Sequence, residues 1–194
     1  MRKDMEYIVS LRKYIFIMTG LFFLSLISGL LVSENNPDLS ARYLEMFKNS
    51  FGWIKSLPPL AMMLLIFLNN AFKSLLALVL GLGLGIIPLI FVAGNGLIVG
   101  LLAQIVSKEQ GTLFVFAALL PHGIIEVPMI LISAGIGLRL GYLMFLSLMG
   151  EKTDIKQELR EGIGFYMRVI LPLLFVAAII ETFVTPLIAM RVIS

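Results

Sequence analysis

His122 and Glu126 lie four residues apart in a stretch that is otherwise apolar, PHGIIEVP at 121–128. Because four residues make about one helical turn, the two side chains share one face of a helix. An imidazole beside a carboxylate in an apolar segment fits three kinds of chemistry. These are a hydrogen-bonded structural pair, a proton relay or ion site in a water-filled cavity, and a metal site. The spacing alone leaves all three open.

Other polar side chains also interrupt apolar segments of the chain. A charge at the centre of a bilayer costs roughly 3 kcal/mol on insertion scales, so such groups tend to face the interior of a helix bundle. We therefore predict an intramembrane polar cluster formed by Asn69, Asn70, Lys73, Asn95, His122, Glu126, Arg139, Glu181 and Thr185. Within it, Lys73 should pair with Glu126 or Glu181, or else snorkel to the cytoplasmic interface.

The residue types give little support for catalysis. His122 is the one histidine, cysteine is absent, and neither an HExxH motif nor a serine nucleophile at a diagnostic spacing occurs. We expect a protein that is not an enzyme and needs no cofactor. A divalent metal on His122, Glu126 and Glu181, and with it an intramembrane metal-dependent hydrolase, is the alternative that this trio leaves open. The sequence contains neither a phosphate-binding loop nor a basic face outside the membrane. It therefore does not indicate nucleotide or nucleic-acid binding.

The elements that position these residues are transmembrane helices. The 194 residues are 59% hydrophobic and 14% charged, whereas soluble domains are nearer to a quarter charged. We predict an all-α, polytopic integral membrane protein with a single membrane domain over 1–194. A span needs about 20 apolar residues. Five runs qualify: 14–32, 57–80, 86–106, 112–134 and 165–187.

Two features leave the number and continuity of the spans open. We predict a cytoplasmic-side helix and linker over 135–164, but the apolar stretch 135–150 could instead be the end of a long helix, a half-helix or a sixth span. Asn95, between two glycines, could break the third span and so line a cavity. The glycines there, Gly96 and Gly100 among them, could equally serve close helix packing.

The linkers and their charges indicate the topology. Lys and Arg are modestly more numerous in the loops on the side of the N-terminus, so we predict a multi-pass cell-membrane protein with a cytoplasmic N-terminus. The linker 40–56 is predicted to be an amphipathic helix lying on the outer surface, with Ser40 as its N-cap. Its interfacial residues are Leu44, Phe47, Phe51, Trp53 and Ile54.

Four segments carry a family resemblance. They are IFLNNAFKSLLALVLGLGLGIIPL at 66–89, NGLIVG at 95–100, PHGIIEVPMILISAGIGLRLG at 121–141 and ETFVTP at 181–186. Together they resemble the stage II sporulation protein M family. The resemblance implies a membrane scaffold, which in spore-forming bacteria holds two peptidoglycan-degrading proteins during engulfment. Relatives also occur in bacteria and archaea that never sporulate.

The resemblance brings no catalytic residues with it. It favours a non-enzymatic scaffold or organiser, embedded in the lipid bilayer, that forms homo-oligomers and contacts membrane or cell-envelope proteins. The alternative is a small oligomeric transporter or channel that uses the Asn, His and Glu side chains as its polar path.

Overall fold

A computed structural model describes residues 2–193, apart from the side chains of Phe51, Lys55 and Ile193, and this part of the chain is helical without strands. In chain order the helices are α1 (Arg2–Asn35), α2 (Pro37–Phe51), α3 (Pro59–Val79), α4 (Ile86–Gln110), α5 (Thr112–Leu148), α6 (Ile155–Phe165), α7 (Leu171–Ile179) and α8 (Thr185–Ile193). Two π-helical turns, Tyr166–Ile170 and Ile180–Val184, join α6, α7 and α8 into one continuous helix.

Within residues 2–193, five helical stretches are long and apolar enough to cross a membrane, which confirms the predicted all-α fold and the number of spans. They are Arg2–Asn35, Pro59–Leu82, Ile86–Gln110, Thr112–Leu148 and Ile155–Val192. The last of these is called the last span below. The end of the bundle near α2 is called the α2 end, and the opposite end, near α6, the α6 end.

The stretch 135–150 is the end of a long helix, which confirms that alternative, whereas the separate helix and the sixth span were wrong. The α5 helix continues without interruption to Leu148 and has 37 residues. At about 1.5 Å per residue it is roughly 55 Å long, well beyond the ~30 Å hydrocarbon core of a bilayer. Its C-terminal part therefore extends past the core at the α6 end and packs against the chain reversal between α3 and α4.

That chain reversal explains the GLGLG sequence at 81–85. Gly85 has φ 74° and Leu84 has φ 58°, left-handed values that turn the chain. A side chain on Gly81 would collide with the backbone of Gly137, and one on Gly141 would collide with that of Gly85. The two backbones therefore touch, and only glycine permits this contact.

The suggested break at Asn95 was also wrong, because α4 is continuous from Ile86 to Gln110. The amide of Asn95 donates to the Phe91 carbonyl of its own helix at 2.7 Å. The neighbouring glycines serve packing instead. A Cβ on Gly96 would lie 2.5 Å from the Phe22 carbonyl oxygen, and one on Gly100 would collide with Leu26. Helices α1 and α4 consequently pack backbone against backbone.

The predicted surface helix is present, but it begins at Pro37 and not at 40. Ser40 is not its N-cap; it lies inside α2, buried, with its hydroxyl 3.0 Å from that of Ser33 on α1. This bond ties α2 to the bundle. Among the predicted interfacial residues, Leu44 and Ile54 are half-buried and Phe47 and Trp53 are exposed, while the side chain of Phe51 lies outside the described part.

Candidate functional site

Apart from the Ser33–Ser40 pair, three groups of interior polar side chains among the described residues form layers at different depths of the bundle. The histidine layer consists of His122, Glu126, Glu181 and Thr185. The tyrosine layer consists of Ser74, Ser133 and Tyr166. The arginine layer consists of Tyr7, Ser10, Arg139 and Glu158. Each layer joins α5 to at least one other helix, and from His122 to Arg139 the depth increases by about 25 Å along α5.

The histidine layer holds the residues whose meeting was predicted. Three half-buried residues each offer one atom that could ligate a metal, an imidazole nitrogen or a carboxylate oxygen. These residues are His122, Glu126 and Glu181, and the three atoms lie within 4.8 Å of one another. Nδ1 of His122 is 3.4 Å from the Thr185 hydroxyl, a long hydrogen bond. His122 and Glu126 come from α5, whereas Glu181 and Thr185 come from the last span. The layer therefore connects two transmembrane helices.

A π-helical turn places Glu181 against α5. The turn Ile180–Val184 contains Glu181 and ends two residues before Pro186. The other π-helical turn, Tyr166–Ile170, likewise ends two residues before a proline, Pro172. Proline has no backbone N–H and its ring clashes with the carbonyl four residues earlier, so a widened turn relieves both conflicts. Such π-turns are frequent at functional sites.

The histidine layer is incompletely paired. Oε2 of Glu126 and Oγ1 of Thr182, the neighbour of Glu181, are buried and have no hydrogen-bond partner among the described residues. Thr182 is only 7% exposed. A buried polar atom without a partner costs about 1–3 kcal/mol. The layer therefore has capacity for one more hydrogen-bonding or ligating partner.

The side chains of the layer can hold a cation or share a proton. Two carboxylates and one imidazole converge on a small volume, with a threonine hydroxyl at 3.4 Å from the ring. Two ionised carboxylates this close in a low-dielectric medium repel each other strongly unless a proton or a cation lies between them. The chain has no cysteine.

Sequence reasoning missed the tyrosine layer. The Tyr166 hydroxyl donates to the Ala71 carbonyl at 2.6 Å and lies 3.2 Å from Oγ of Ser74. Ser133 on α5 donates to the Ser74 carbonyl at 2.8 Å. All three side chains are buried. They join α3, α5 and the last span by bonds between uncharged groups. A tyrosine and two serines in apolar helices gave no signal of this arrangement.

Arg139 does not belong with His122, contrary to the prediction, because it lies about 25 Å further along α5. Its guanidinium forms an ion pair with Glu158 at 2.9 Å and donates to the Ser10 hydroxyl at 2.7 Å. Tyr7 donates to the other carboxylate oxygen of Glu158 at 2.8 Å. This arginine layer ties α1, α5 and α6 together. Tyr7, Ser10 and Glu158 were not predicted, because they lie outside the apolar runs.

Asn69 and Lys73 are exposed on α3, contrary to the prediction, whereas Asn70 is half-buried. Asn69 is exposed on α3 and its amide donates to the Asn70 side chain at 3.1 Å. Lys73, one turn further on, is exposed and forms no ion pair with Glu126, Glu181 or any other described carboxylate. Its long apolar stem permits the snorkelling that was the alternative.

Comparison with known proteins places the chain among membrane proteins of one family. The family described as stage II sporulation protein M matches residues 18–186. An uncharacterized protein of Methanocaldococcus jannaschii is 32% identical over 126 residues, which cover 63% of this chain and 70% of that protein. No solved structure matches the chain.

Proposed function

Because the chain belongs to the stage II sporulation protein M family, we propose that it is a non-enzymatic membrane organiser that self-associates through α3. Its α2 end would then present a surface to partner proteins of the membrane or the cell envelope. One observation carries the proposal: Asn69 and Lys73 are exposed on the lipid-facing side of a transmembrane helix.

The depth of Asn69 makes its exposure costly for a monomer. It lies ten residues after Pro59, the first residue of α3, and so about 15 Å into a hydrocarbon core of ~30 Å. Polar side chains at this depth normally face other protein. The bond to Asn70 satisfies one N–H of the Asn69 amide and leaves its oxygen and its second N–H available.

A second copy of the chain is the partner that suits this surface. An amide carries both a donor and an acceptor, so two Asn69 side chains can bond to each other across a twofold axis. Asparagine in a transmembrane helix drives helix association by such bonds, typically at about 0.6–2 kcal/mol each. Lys73 would remain free to extend towards the headgroups at the α6 end.

The α2 helix supports the organising role. It is tied to α1 by Ser33 and Ser40, while Arg42, Glu45 and Lys48 are exposed along it. Grooves with charged side chains in their lining also lie at both ends of the bundle. One, of about 400 Å³, is lined by Asn36, Asp38 and Arg42 among others; the other, of about 590 Å³, lies at the α6 end. Partner proteins would meet charged surfaces at both ends.

Disulfide trapping tests the self-association, because the chain has no cysteine of its own. We expect Asn69→Cys, oxidised in membranes, to give a crosslinked dimer in high yield. Ile124→Cys is the matched control, since Ile124 is 68% exposed on α5 at a similar depth from the α2 end. Equal, low yields at both positions across a range of protein-to-lipid ratios would contradict the proposal.

A small transporter or channel is the second candidate, and the histidine layer is the observation that favours it. Glu126, which has one unpaired buried oxygen, and Glu181 lie at membrane depth, where ionisable groups commonly mark ion or proton paths. An organiser and a transporter differ in one measurable property, which is solute flux across a bilayer.

A further inference from the structure

We propose that the histidine layer binds one divalent transition-metal cation of the Zn²⁺ type, which bridges α5 and the last span. His122, Glu126 and Glu181 would be the ligands. The site would hold the two helices together within the membrane, and no bond is made or broken there. The inference concerns a different part of the molecule from the self-association surface on α3 and does not depend on it.

The geometry of the three side chains suits one ion. Their ligand-type atoms already lie within 4.8 Å of one another, across two helices. Ligands at ~2.0–2.2 Å from a zinc ion are about 3.4 Å apart in a tetrahedral site. The atoms would therefore need to approach each other by at most about 1.4 Å, a shift that rotation of the side chains can supply.

The charges of the layer also favour a divalent cation. Glu126 and Glu181 bring two carboxylates together at membrane depth, and no basic side chain of the described residues pairs with either. Two negative charges and one divalent cation give a neutral site, which removes both the repulsion and the cost of a net charge in a low-dielectric medium.

An unpaired atom is an independent observation that indicates a ligand. Oε2 of Glu126 is buried without a hydrogen-bond partner among the described residues, and the ligand-type atoms of Glu126, His122 and Glu181 lie within 4.8 Å of one another. Native proteins rarely leave such atoms unpaired unless a water or an ion completes the site.

The ligand types select the class of cation. Mg²⁺ and Ca²⁺ prefer sites made entirely of oxygen, whereas an imidazole nitrogen suits Zn²⁺ and its first-row neighbours. The Thr185 hydroxyl, 3.4 Å from Nδ1 of His122, would orient the ring from behind, as outer-shell partners of metal-bound histidines do. With one protein nitrogen and two carboxylates, water would occupy the remaining positions of the coordination shell.

Metal binding can be measured on the full-length protein in detergent, purified without a polyhistidine tag. With a single histidine and no cysteine, the chain offers few competing nitrogen or thiolate ligands for Zn²⁺. We expect about one Zn²⁺ per chain after dialysis against Zn²⁺, measured by elemental analysis. Co²⁺ in place of Zn²⁺ should give visible absorption bands, and Zn²⁺ should raise the thermal unfolding temperature.

Three variants test the assignment. Glu126→Gln and His122→Gln keep side chains of similar shape and should abolish the bound Zn²⁺, the Co²⁺ bands and the thermal shift. Thr185→Val removes only the hydroxyl next to the ring and should weaken binding about tenfold. Glu45→Gln, which neutralises an exposed carboxylate on α2, is the matched control and should bind as the wild type does.

The results separate binding from a purely structural role. If Glu126→Gln folds, unfolds at the temperature of the metal-free wild type and carries no Zn²⁺, the inference is supported. If the wild type itself holds no Zn²⁺ and shows no Co²⁺ bands, or if Glu126→Gln retains both, the inference is overturned. Dimer trapping through Asn69→Cys is scored separately, so failure of the cation site and failure of the proposed function are distinguishable.

Discussion

The guanidinium of Arg139 and the carboxylate of Glu158 lie 2.9 Å apart, and the Glu158 side chain is only 5% exposed. Tyr7 donates to the same carboxylate from α1. A single acid therefore collects contacts from two other helices at the α6 end. This arrangement fixes the part of α5 that extends past the hydrocarbon core, and it accounts for a charged residue within an apolar sequence.

Removing Arg139 should destabilise the bundle. In Arg139→Gln, Glu158 keeps Tyr7 but loses its counter-charge, and breaking a buried pair in this way costs about 3–5 kcal/mol. Because the Arg139 side chain is 25% exposed, we expect a loss of about 1–3 kcal/mol in the free energy of unfolding. Thermal unfolding in detergent checks this. Arg2→Gln breaks the solvent-exposed pair with Glu6 and is the control; equal stability of the two variants would be contrary to this account.

Backbone contact between α1 and α4 makes Gly100 intolerant of even a methyl group. A Cβ there would collide with the Leu26 carbonyl, whereas a Cβ on Gly94 of the same helix meets nothing within 4 Å. We expect Gly100→Ala to lower the free energy of unfolding by about 1–3 kcal/mol. Gly94→Ala should be neutral or stabilising by up to about 1 kcal/mol. Titration of unfolding with a denaturing detergent measures both, and the reverse ranking would refute the packing described.

Deleting one hydroxyl tests the tyrosine layer. Tyr166→Phe retains the ring but removes the bond to the Ala71 carbonyl, and we expect a loss of about 1 kcal/mol in stability. Tyr142→Phe is the control, because Tyr142 is exposed and has no hydrogen bond within the described part of the chain. Thermal unfolding of both variants, side by side, decides the matter; an unchanged Tyr166→Phe would argue that the layer contributes nothing to stability.

Five spans and a cytoplasmic N-terminus predict which loops are accessible from outside the cell. Single cysteines introduced into the cysteine-free chain report this directly. A membrane-impermeant maleimide should label Asn49→Cys on α2 in intact cells, and Lys152→Cys, between α5 and α6, only after the cells are opened. Because both positions are exposed, the difference in labelling reports on which side of the membrane each position lies. Labelling in the opposite order would reverse the orientation.

Hydropathy and polarity predicted the spans and the histidine layer. A run of apolar residues long enough to cross a bilayer strongly favours a transmembrane helix. Ionisable side chains within such a run tend to face the interior of the bundle. His122, Glu126, Glu181 and Thr185 do lie together, but the same reasoning grouped Asn69, Lys73 and Arg139 with them, and these lie elsewhere. The spacing of Gly96 and Gly100 allowed close helix packing but did not identify α1 as the partner.

The remaining polar contacts could not be predicted because they depend on the tertiary arrangement. Lys73 was assigned an acidic partner, but its flexible stem allows exposure without pairing. In the sequence, Ser74 looks like a serine that bonds to its own helix, and Tyr166 looks like a tyrosine at the membrane interface. Glu158 stands in a segment where acids and bases nearly balance, and only the length of α5 brings Arg139 to it. The sequence left that length as one of several alternatives, because helix ends are weakly encoded.

Flux across a bilayer tests the central claim, that the chain organises the membrane and does not conduct solutes through it. Proteoliposomes containing wild-type protein or Glu126→Gln would be assayed for uptake of Zn²⁺ and protons, with protein-free vesicles as the background. We predict uptake at background level for both proteins. Uptake by the wild type above background that is lost in Glu126→Gln would contradict the account and identify a transporter.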